Sequence, residues 1–452
     1  MTTVLVANRG EIALRVLRTC RELGFGTVAV HSTADAGSAA VRYADRAVCI
    51  GPGPAKRSYN HIPSVIEAAR MTGADMIHPG YGFLSENPDF AEVCAAEGFT
   101  FVGPPAPVME KLGDKAVARA MMVDAGLPLL PGSTEAVDDV DDAFALAETI
   151  GYPVIIKAAA GGGGRGMTVV RDRGGFHDDF RRTRATATAV FGDGRVYVER
   201  YLDSARHVEI QVLCDAHGHG VHLGARDCSV QRRHQKLVEE TPAPGMSDDT
   251  VRGMGEAAVR GVLAAGYTGA GTVEFLVDDQ HRYYFMEVNC RLQVEHPVTE
   301  MVTGLDLVAE QLRIATGDPL GFTQEDVTPR GAAIECRINA EDPARDFAPT
   351  PAVVERFTPP GGPFVRVDTH VGAGYRIPPD YDSMLAKVLV WAPDRAGAIA
   401  RMDRALEELE LTGERLVTTA EFLRTVLAEP AFADGEHDTA LLDRMARGRV
   451  GT

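Results

Sequence analysis

The chain lacks the features that would place it in several large classes. Its seven cysteines (Cys20, Cys49, Cys94, Cys214, Cys228, Cys290 and Cys336) are scattered, odd in number and never in a CxxC pair. That excludes a disulfide framework or zinc knuckle and matches the reduced thiols of a cytoplasmic protein. No apolar run approaches the roughly 20 residues of a membrane span. The opening MTTVLVANRGE is broken by Arg9, has no basic leader and reads as a first strand rather than a signal peptide. Positive charge is also short. A net charge of −18 disfavours nucleic acid and anionic membrane as main partners, although a phosphate ligand needs only a local basic pocket. There is no GxxxxGK[ST] phosphate loop, no HRD or DFG kinase segment, no internal repeat and no low-complexity tract.

What is present suffices for a globular enzyme. The 452 residues are 45% apolar and 24% charged, enough for roughly three domains. The first hundred residues alternate strand and helix patterns: strands over 3–7, 27–31, 75–78 and 99–102, helices over 10–23, 62–71 and 90–97. This rhythm predicts a doubly wound parallel sheet with a ligand crevice at its strand ends, faced by the loop HPGYGFLSEN (78–87). A helix over 114–124 and the stretch LPLLPGS lead to a small β-rich lid over about 130–203. From about 204 the pattern is mixed α+β, with strands near 207–213, 272–277 and 282–294 and a helix over 305–316. The proline-rich stretch 347–363 reads as a surface crossing, and a helix pair over 395–411 and 418–428 closes the fold.

Three segments carry chemistry. In KAAAGGGGRGM (157–167), five of the six residues 161–166 are glycine. The flanks YPVIIKA and MTVVR both read as strands, so this is a hairpin tip rather than the strand-to-helix turn of a dinucleotide fingerprint. Backbone without Cβ atoms can close over phosphates and donate N–H groups to them. Lys157 and Lys115 are candidate phosphate contacts, although a lone lysine is usually solvated surface.

In MEVNCRLQVEH (286–296), Glu287, Asn289, Arg291, Gln293 and Glu295 alternate with apolar residues and would share one face of an extended strand. A hairpin with TVEFLV (272–277) sets Glu274 beside Glu287. Two adjacent carboxylates repel unless a cation lies between them, and Mg²⁺ favours such a place, with Asn289 adding a carbonyl oxygen. Arg291 can grip a planar oxyanion with paired hydrogen bonds, and Glu295 lies in reach as a general base.

The third segment, QRRHQK (231–236), is a basic cluster in an acidic chain. It is either a surface patch or an anion pocket in which Lys236 faces the oxyanion held by Arg291. Cys228 before it reads as a buried inert thiol more readily than as a nucleophile. Arg337 lies on a predicted strand whose apolar residues point the other way.

Together with ANRGEIALRVLR (7–18), RHVEIQV (206–212), RDCSVQRRHQK (226–236), EVNCRLQVEHPVTE (287–300) and ECRINAEDP (335–343), these segments resemble biotin carboxylase, the ATP-grasp component of biotin-dependent carboxylases. The likeness runs over nearly the whole chain. It implies an α/β and α+β protein with an ATP-grasp fold. The expected division is a Rossmann-like pre-ATP-grasp domain (1–113), linker helices and a mobile glycine-rich lid (114–203), a catalytic core (204–330) and a C-terminal biotin carboxylase domain (331–452).

Matching the family's motifs residue by residue implies nucleotide contacts at Lys115, Lys157, Gly163, Gly164, Glu199, Leu202, His207, Gln231, His234 and Leu276. It implies metal ligands at Glu274, Glu287 and Asn289, for Mg²⁺ or Mn²⁺. Bicarbonate would lie against Lys236, Arg291, Gln293 and Val294, with Glu295 as base, and biotin against Tyr81, Gly82 and Arg337. Ala160 stands where a further glycine is usual and Arg200 where a lysine is, and GERLVTTAEFL (413–423) fits the family pattern badly.

The implied reaction is ATP- and bicarbonate-dependent carboxylation of biotin. The biotin would be on a separate carrier protein, because MLAK (384–387) lacks the second methionine of a biotin acceptor and the chain ends at Thr452. Expected partners are bicarbonate, the biotin carboxyl carrier, carboxyltransferase subunits and a second copy of the chain. Acetyl-CoA carboxylase and fatty acid biosynthesis are the expected setting, yet propionyl-CoA, pyruvate and urea systems share the half-reaction. The alternatives are another ATP-grasp carboxylate ligase, such as a carbamoyl phosphate synthetase half, and an inactive nucleotide-binding subunit.

Overall fold

The computed structural model describes residues 1–133, 135–159 and 166–450. Five strands, β1 (Thr3–Val6), β2 (Gly26–Ser32), β3 (Arg46–Gly51), β4 (Met76–His78) and β5 (Thr100–Phe101), form an all-parallel sheet in the order β3-β2-β1-β4-β5. The strand order reverses at β1, and the loops after β1 and β4 meet there. The side chain of Asn8 donates to the carbonyls of Pro79 (2.6 Å) and Tyr81 (2.8 Å). Gly80 has φ +64°, and a Cβ there would lie 2.8 Å from Asn8 Nδ2. Only glycine permits this approach of the two loops.

The lid is a three-stranded antiparallel sheet, β7-β6-β8, built from β6 (Val154–Ala158), β7 (Met167–Val170) and β8 (Val196–Arg200). Its glycine tip, with Gly163 and Gly164, lies outside the described residues, but the strands on both sides of it pair as expected. The lid is less purely β than its sequence suggested. Helices Val140–Ile150 and Phe176–Phe191 cover one face and bury Ala143, Ala147, Phe176 and Phe180 against the strands.

An eight-stranded antiparallel sheet organises the rest. Its strands are β9 (Arg206–Cys214), β10 (Gly220–Arg232), β11 (Gln235–Thr241), β12 (Gly269–Val277), β13 (Tyr283–Asn289), β14 (Ala332–Asn339), β15 (Val365–Thr369) and β16 (Met384–Ala392), in the order β13-β12-β9-β10-β11-β14-β16-β15. Because β11 pairs with β14, segments before and after residue 330 share one sheet. Helix Asp248–Ala264 packs on one half and helices Arg395–Glu408 and Ala420–Leu427 on the other. The expected closing helix pair is followed by two more helices, Pro430–Ala433 and Leu441–Val450.

One strand is shorter than its alternation predicts. β13 ends at Asn289, and residues 290–295 turn into helix His296–Thr303. Arg291 breaks the ladder by folding back on its own segment. Its guanidinium bonds Asn289 Oδ1 (3.2 Å), the Leu292 carbonyl (3.2 Å) and Gln293 Oε1 (2.7 Å). The apolar residues Val288, Cys290 and Leu292 are buried, but so are the polar Asn289, Gln293 and Glu295, so burial in this segment no longer follows period two.

Candidate active site

The lid, the large sheet and the β4 loop enclose a cleft of about 1290 Å³. Every site residue named from the sequence lines it, apart from the undescribed Gly163 and Gly164. Neighbouring strands build the floor. Across β12 and β13, Glu274 is the direct partner of Glu287, as the hairpin reading required, and on its other side Glu274 faces Glu209 of β9. Three carboxylates therefore cross the sheet in one row. A lysine and a histidine answer them. Lys236, cross-strand partner of Gln231 beside the Arg233–His234 turn, donates to Glu209 (2.7 Å), Glu295 (2.5 Å) and Glu274 (3.2 Å). His207 Nε2 lies 3.1 Å from Glu274.

These contacts set the charge states. Burial by itself would raise the pKa of Glu295, but Lys236 and Arg337 outweigh it and hold the carboxyl well below the usual range. Glu274 is likewise lowered against its burial by Lys236 and His207. Glu287 goes the other way, raised by burial and by the charge of Glu274. Lys236 is raised well above the ordinary lysine value, since the surrounding acids overcome its desolvation. Of two facing carboxylates, one is thus compensated and one strained. Such a hard oxygen pair suits a divalent cation, and it fits Mg²⁺.

At the far end, Arg337 Nη2 donates to Glu295 Oε2 (3.0 Å) and also pairs with Glu239, whose pKa burial raises to about 7. Tyr81 comes from the β4 loop and donates to Glu11. At the lid end, Lys157 of β6 pairs with Glu199 of β8 at 2.7 Å, and Arg119 pairs with the same carboxylate. Burial lowers the pKa of Lys115, which lies beside Glu287 and Glu199.

The match to known proteins is full-length. The family description "Biotin carboxylase, N-terminal domain" matches residues 1–109, "Carbamoyl-phosphate synthase L chain, ATP binding domain" matches 114–323, and "Biotin carboxylase C-terminal domain" matches 335–444. A biotin carboxylase of Nostoc sp. is 52% identical over 98% of both chains. The chain belongs to the biotin carboxylase family. A solved biotin carboxylase complex from Campylobacter jejuni superposes with a TM-score of 0.95 at 45% identity, covering 98% of each chain. The biotin carboxylase domain dimer of 2-oxoglutarate carboxylase from Hydrogenobacter thermophilus, solved with MgADP, ADP and bicarbonate, gives 0.94 at 44% identity over 98% of this chain and 97% of that one. The ATP-grasp fold expected from the motifs is thereby established.

Within this family fold, the structure adds residues the sequence reading missed. Glu209 is fully buried and accepts from Lys236 and from Arg226 Nε (2.6 Å). Arg226, also fully buried, bonds Gln211 Oε1 (2.7 Å) and Thr299 Oγ1 (2.9 Å) as well. The signal was available: His207, Glu209 and Gln211 alternate in RHVEIQV as the acids do in the later segment. Glu86 was missed too. It accepts from Arg291 Nε (2.8 Å) and from the Cys290 amide (2.9 Å), a contact between distant segments that no local pattern encodes.

Cys228 is fully buried with its thiol pKa pushed well up by desolvation, consistent with an inert group. Of the two single-residue departures from the family pattern, Ala160 lies outside the described residues. Arg200 turns to the carbonyls of Ile150 (3.3 Å) and Gly151 (3.2 Å) and braces the lid. No helix among the described residues is long and apolar enough to cross a membrane.

Proposed function

We propose that the chain carboxylates biotin held on a separate carrier protein, using ATP and bicarbonate, as the first half-reaction of a biotin-dependent carboxylase. The observation that carries this reading is the pairing of Glu295. A buried carboxylate has Lys236 on one oxygen and Arg337 on the other, beside Arg291 and the Glu274–Glu287 pair. It is an ionised acid held among exchangeable cations, and it suits a base that must take a proton from a planar anion.

In this reading Lys236 and Arg291 hold bicarbonate against the turn of Gln293 and Val294. As Lys236 turns from Glu295 to bicarbonate, the carboxylate loses a counter-charge. It becomes a stronger base as its substrate arrives and takes the bicarbonate proton. The nucleotide lies between the lid side (Lys157, Glu199 and Leu202) and the large sheet with its turn (His207, Gln231, His234 and Leu276), with Lys115 at the start of helix Lys115–Asp124; Gly163 and Gly164 are further proposed contacts. Glu274, Glu287 and Asn289 would hold Mg²⁺, which when bound supplies charge neutralisation at the phosphates. Attack of the deprotonated bicarbonate on the γ-phosphate displaces ADP and gives carboxyphosphate, which breaks down to CO₂ and phosphate inside the closed cleft. The phosphate takes the ureido proton of biotin, Arg337, beside Tyr81 and Gly82, stabilises the enolate oxygen, and the ureido nitrogen attacks CO₂ to form the N–C bond of carboxybiotin.

The functional division follows the four segments 1–113, 114–203, 204–330 and 331–452. Motifs near the starts of the first, third and fourth segments and the separation of the lid strands from the large sheet support it, although that sheet continues across residue 330. A cytoplasmic homodimer serving acetyl-CoA carboxylase in fatty acid synthesis, with carboxyltransferase subunits as further partners, is the favoured setting. The dimeric 2-oxoglutarate carboxylase relative supports the homodimer and equally supports a keto-acid acceptor.

ATP hydrolysis by the purified chain, with Mg²⁺, bicarbonate and free biotin left out in turn, tests the reading. A rate that needs bicarbonate and rises with biotin is expected. A rate indifferent to biotin but raised by ammonia would favour the carbamoyl phosphate type of ligase, whose ATP-binding description matches 114–323. Tight ATP binding with no turnover would favour an inactive subunit.

A further inference from the structure

The lysine of MLAK has no part in the chemistry above, yet it occupies a costly position. Lys387 lies on β16 with no solvent exposure. Its Nζ donates to the main-chain carbonyl of Val294 at 2.7 Å and lies 3.0 Å from Glu11 Oε1. Glu11, itself 4% exposed, accepts the phenol proton of Tyr81. A continuous path therefore runs Val294–Lys387–Glu11–Tyr81 through segments from both ends of the chain. Both ends of the path line the cleft. Val294 adjoins Glu295 in the turn proposed to hold bicarbonate, and Tyr81 is a proposed biotin contact.

Other charged groups face the ammonium without replacing Glu11. Asp368 is occupied by Arg366 through two hydrogen bonds, at 2.9 and 2.7 Å. Burial pushes Glu335 well above the carboxylate range, and among the described residues neither of its oxygens has a hydrogen-bond partner. His296 is held well below its ordinary value by burial and by Lys387 itself.

An ion pair buried this deeply contributes little net stability, and an apolar residue of similar volume could fill the space. What a methionine could not do is bind a main-chain carbonyl and a carboxylate at once in fixed directions. The Val294 turn has left the β ladder, and Lys387 supplies a donor to its main-chain carbonyl from another strand, beside the contacts Arg291 makes within the segment. We propose that Lys387 is a positioning residue that holds the bicarbonate turn and the biotin loop at a fixed distance from each other through Val294 and Glu11–Tyr81. This rests on the proposed biotin carboxylase reaction.

The test is steady-state ATP hydrolysis, varying ATP, bicarbonate and free biotin separately, for wild type, Lys387→Met, Glu11→Gln and the double variant. The double variant leaves neither partner of the pair charged. Loss of a charge-assisted hydrogen bond at each end should raise KM for both bicarbonate and biotin by about 10-fold or more in Lys387→Met and in the double variant. KM for ATP should move less than about twofold, and Glu11→Gln should raise KM for biotin more than for bicarbonate. A folded Lys387→Met with unchanged bicarbonate and biotin constants overturns the proposal. So does a parallel loss in all three constants, or failure of both lysine variants to fold, since either makes the residue merely structural. Wild type without bicarbonate dependence removes the parent reading instead, and is read before any variant is compared.

Discussion

At the scale of single residues, the site works by compensated burial. Glu295 is fully buried and still ionised because Lys236 and Arg337 share it. Replacing it by glutamine keeps the shape and removes the basic oxygen. Glu295→Gln is expected to lower bicarbonate-dependent ATP hydrolysis by roughly 10²–10⁴-fold, the usual worth of a positioned general base. ATP affinity measured by calorimetry should change little, because the lid contacts Lys157 and Glu199 are untouched. Near-normal turnover in that variant would remove Glu295 from the role. Arg291 and Glu295 were named from the sequence because polar residues at fixed alternation have few bland explanations, whereas Lys236 and Arg337 were left open by their local patterns and came from the resemblance to the family. Glu86 and Arg226 were not legible, because what makes them matter is a partner far away in the chain.

At the scale of elements, strands β9 to β13 set the functional side chains in rows, while irregular segments fasten the strands in place. Asp227 on β10 is one such fastening. Arg206 donates to its Oδ2 at 2.9 and 2.7 Å, and His437, from the segment before the last helix, lies 3.1 Å from its Oδ1. Burial would raise the Asp227 pKa, but His437 and Arg206 overcome it and lower it below the ordinary value. A carboxyl lowered in the folded state adds stability above its unfolded pKa of about 4, and that stability is lost as pH falls towards the folded value. Asp227→Asn should therefore destabilise the protein at neutral pH, by roughly 3–5 kcal/mol for a broken buried pair. It should also flatten the fall in denaturant midpoint below pH 4. A variant that keeps the wild-type acid slope would show that Asp227 does not carry it. The strand expected over 282–294 illustrates the limit of periodicity at this scale. Alternation separated apolar from polar side chains but not buried from exposed, since Gln293 and Glu295 are buried too, and the ladder ends at Asn289, where Arg291 bonds its own neighbours.

At the scale of the whole molecule, distant regions meet at Glu300. Arg15, from helix Gly10–Glu22, donates to its Oε1 at 2.8 Å, and Arg366, from β15, donates to its Oε2 at 2.6 Å. Glu300 itself lies on the helix that follows Glu295. Glu300→Gln would leave two largely buried guanidiniums without their shared charge. A loss of roughly 3–5 kcal/mol is expected, read as a lower guanidinium midpoint. An unchanged midpoint would mean that Asp306 and Asp368, which also bind these arginines, suffice alone.

The sequence by itself determined four of the five strands of the parallel N-terminal sheet, missing Arg46–Gly51, together with the hairpin that sets Glu274 against Glu287, the strands flanking the glycine tip and the chemical types gathered for the reaction. These are local matters of period, turn residues and side-chain chemistry, and the chain carries them wherever it folds. The tertiary structure decided which charges neutralise which. It placed Lys236 among three carboxylates, gave Arg291 to Glu86, and buried Lys387 between Val294 and Glu11. The physical reason is that a buried charge depends on whatever lies within a few ångströms of it, and those neighbours come from segments tens to hundreds of residues away.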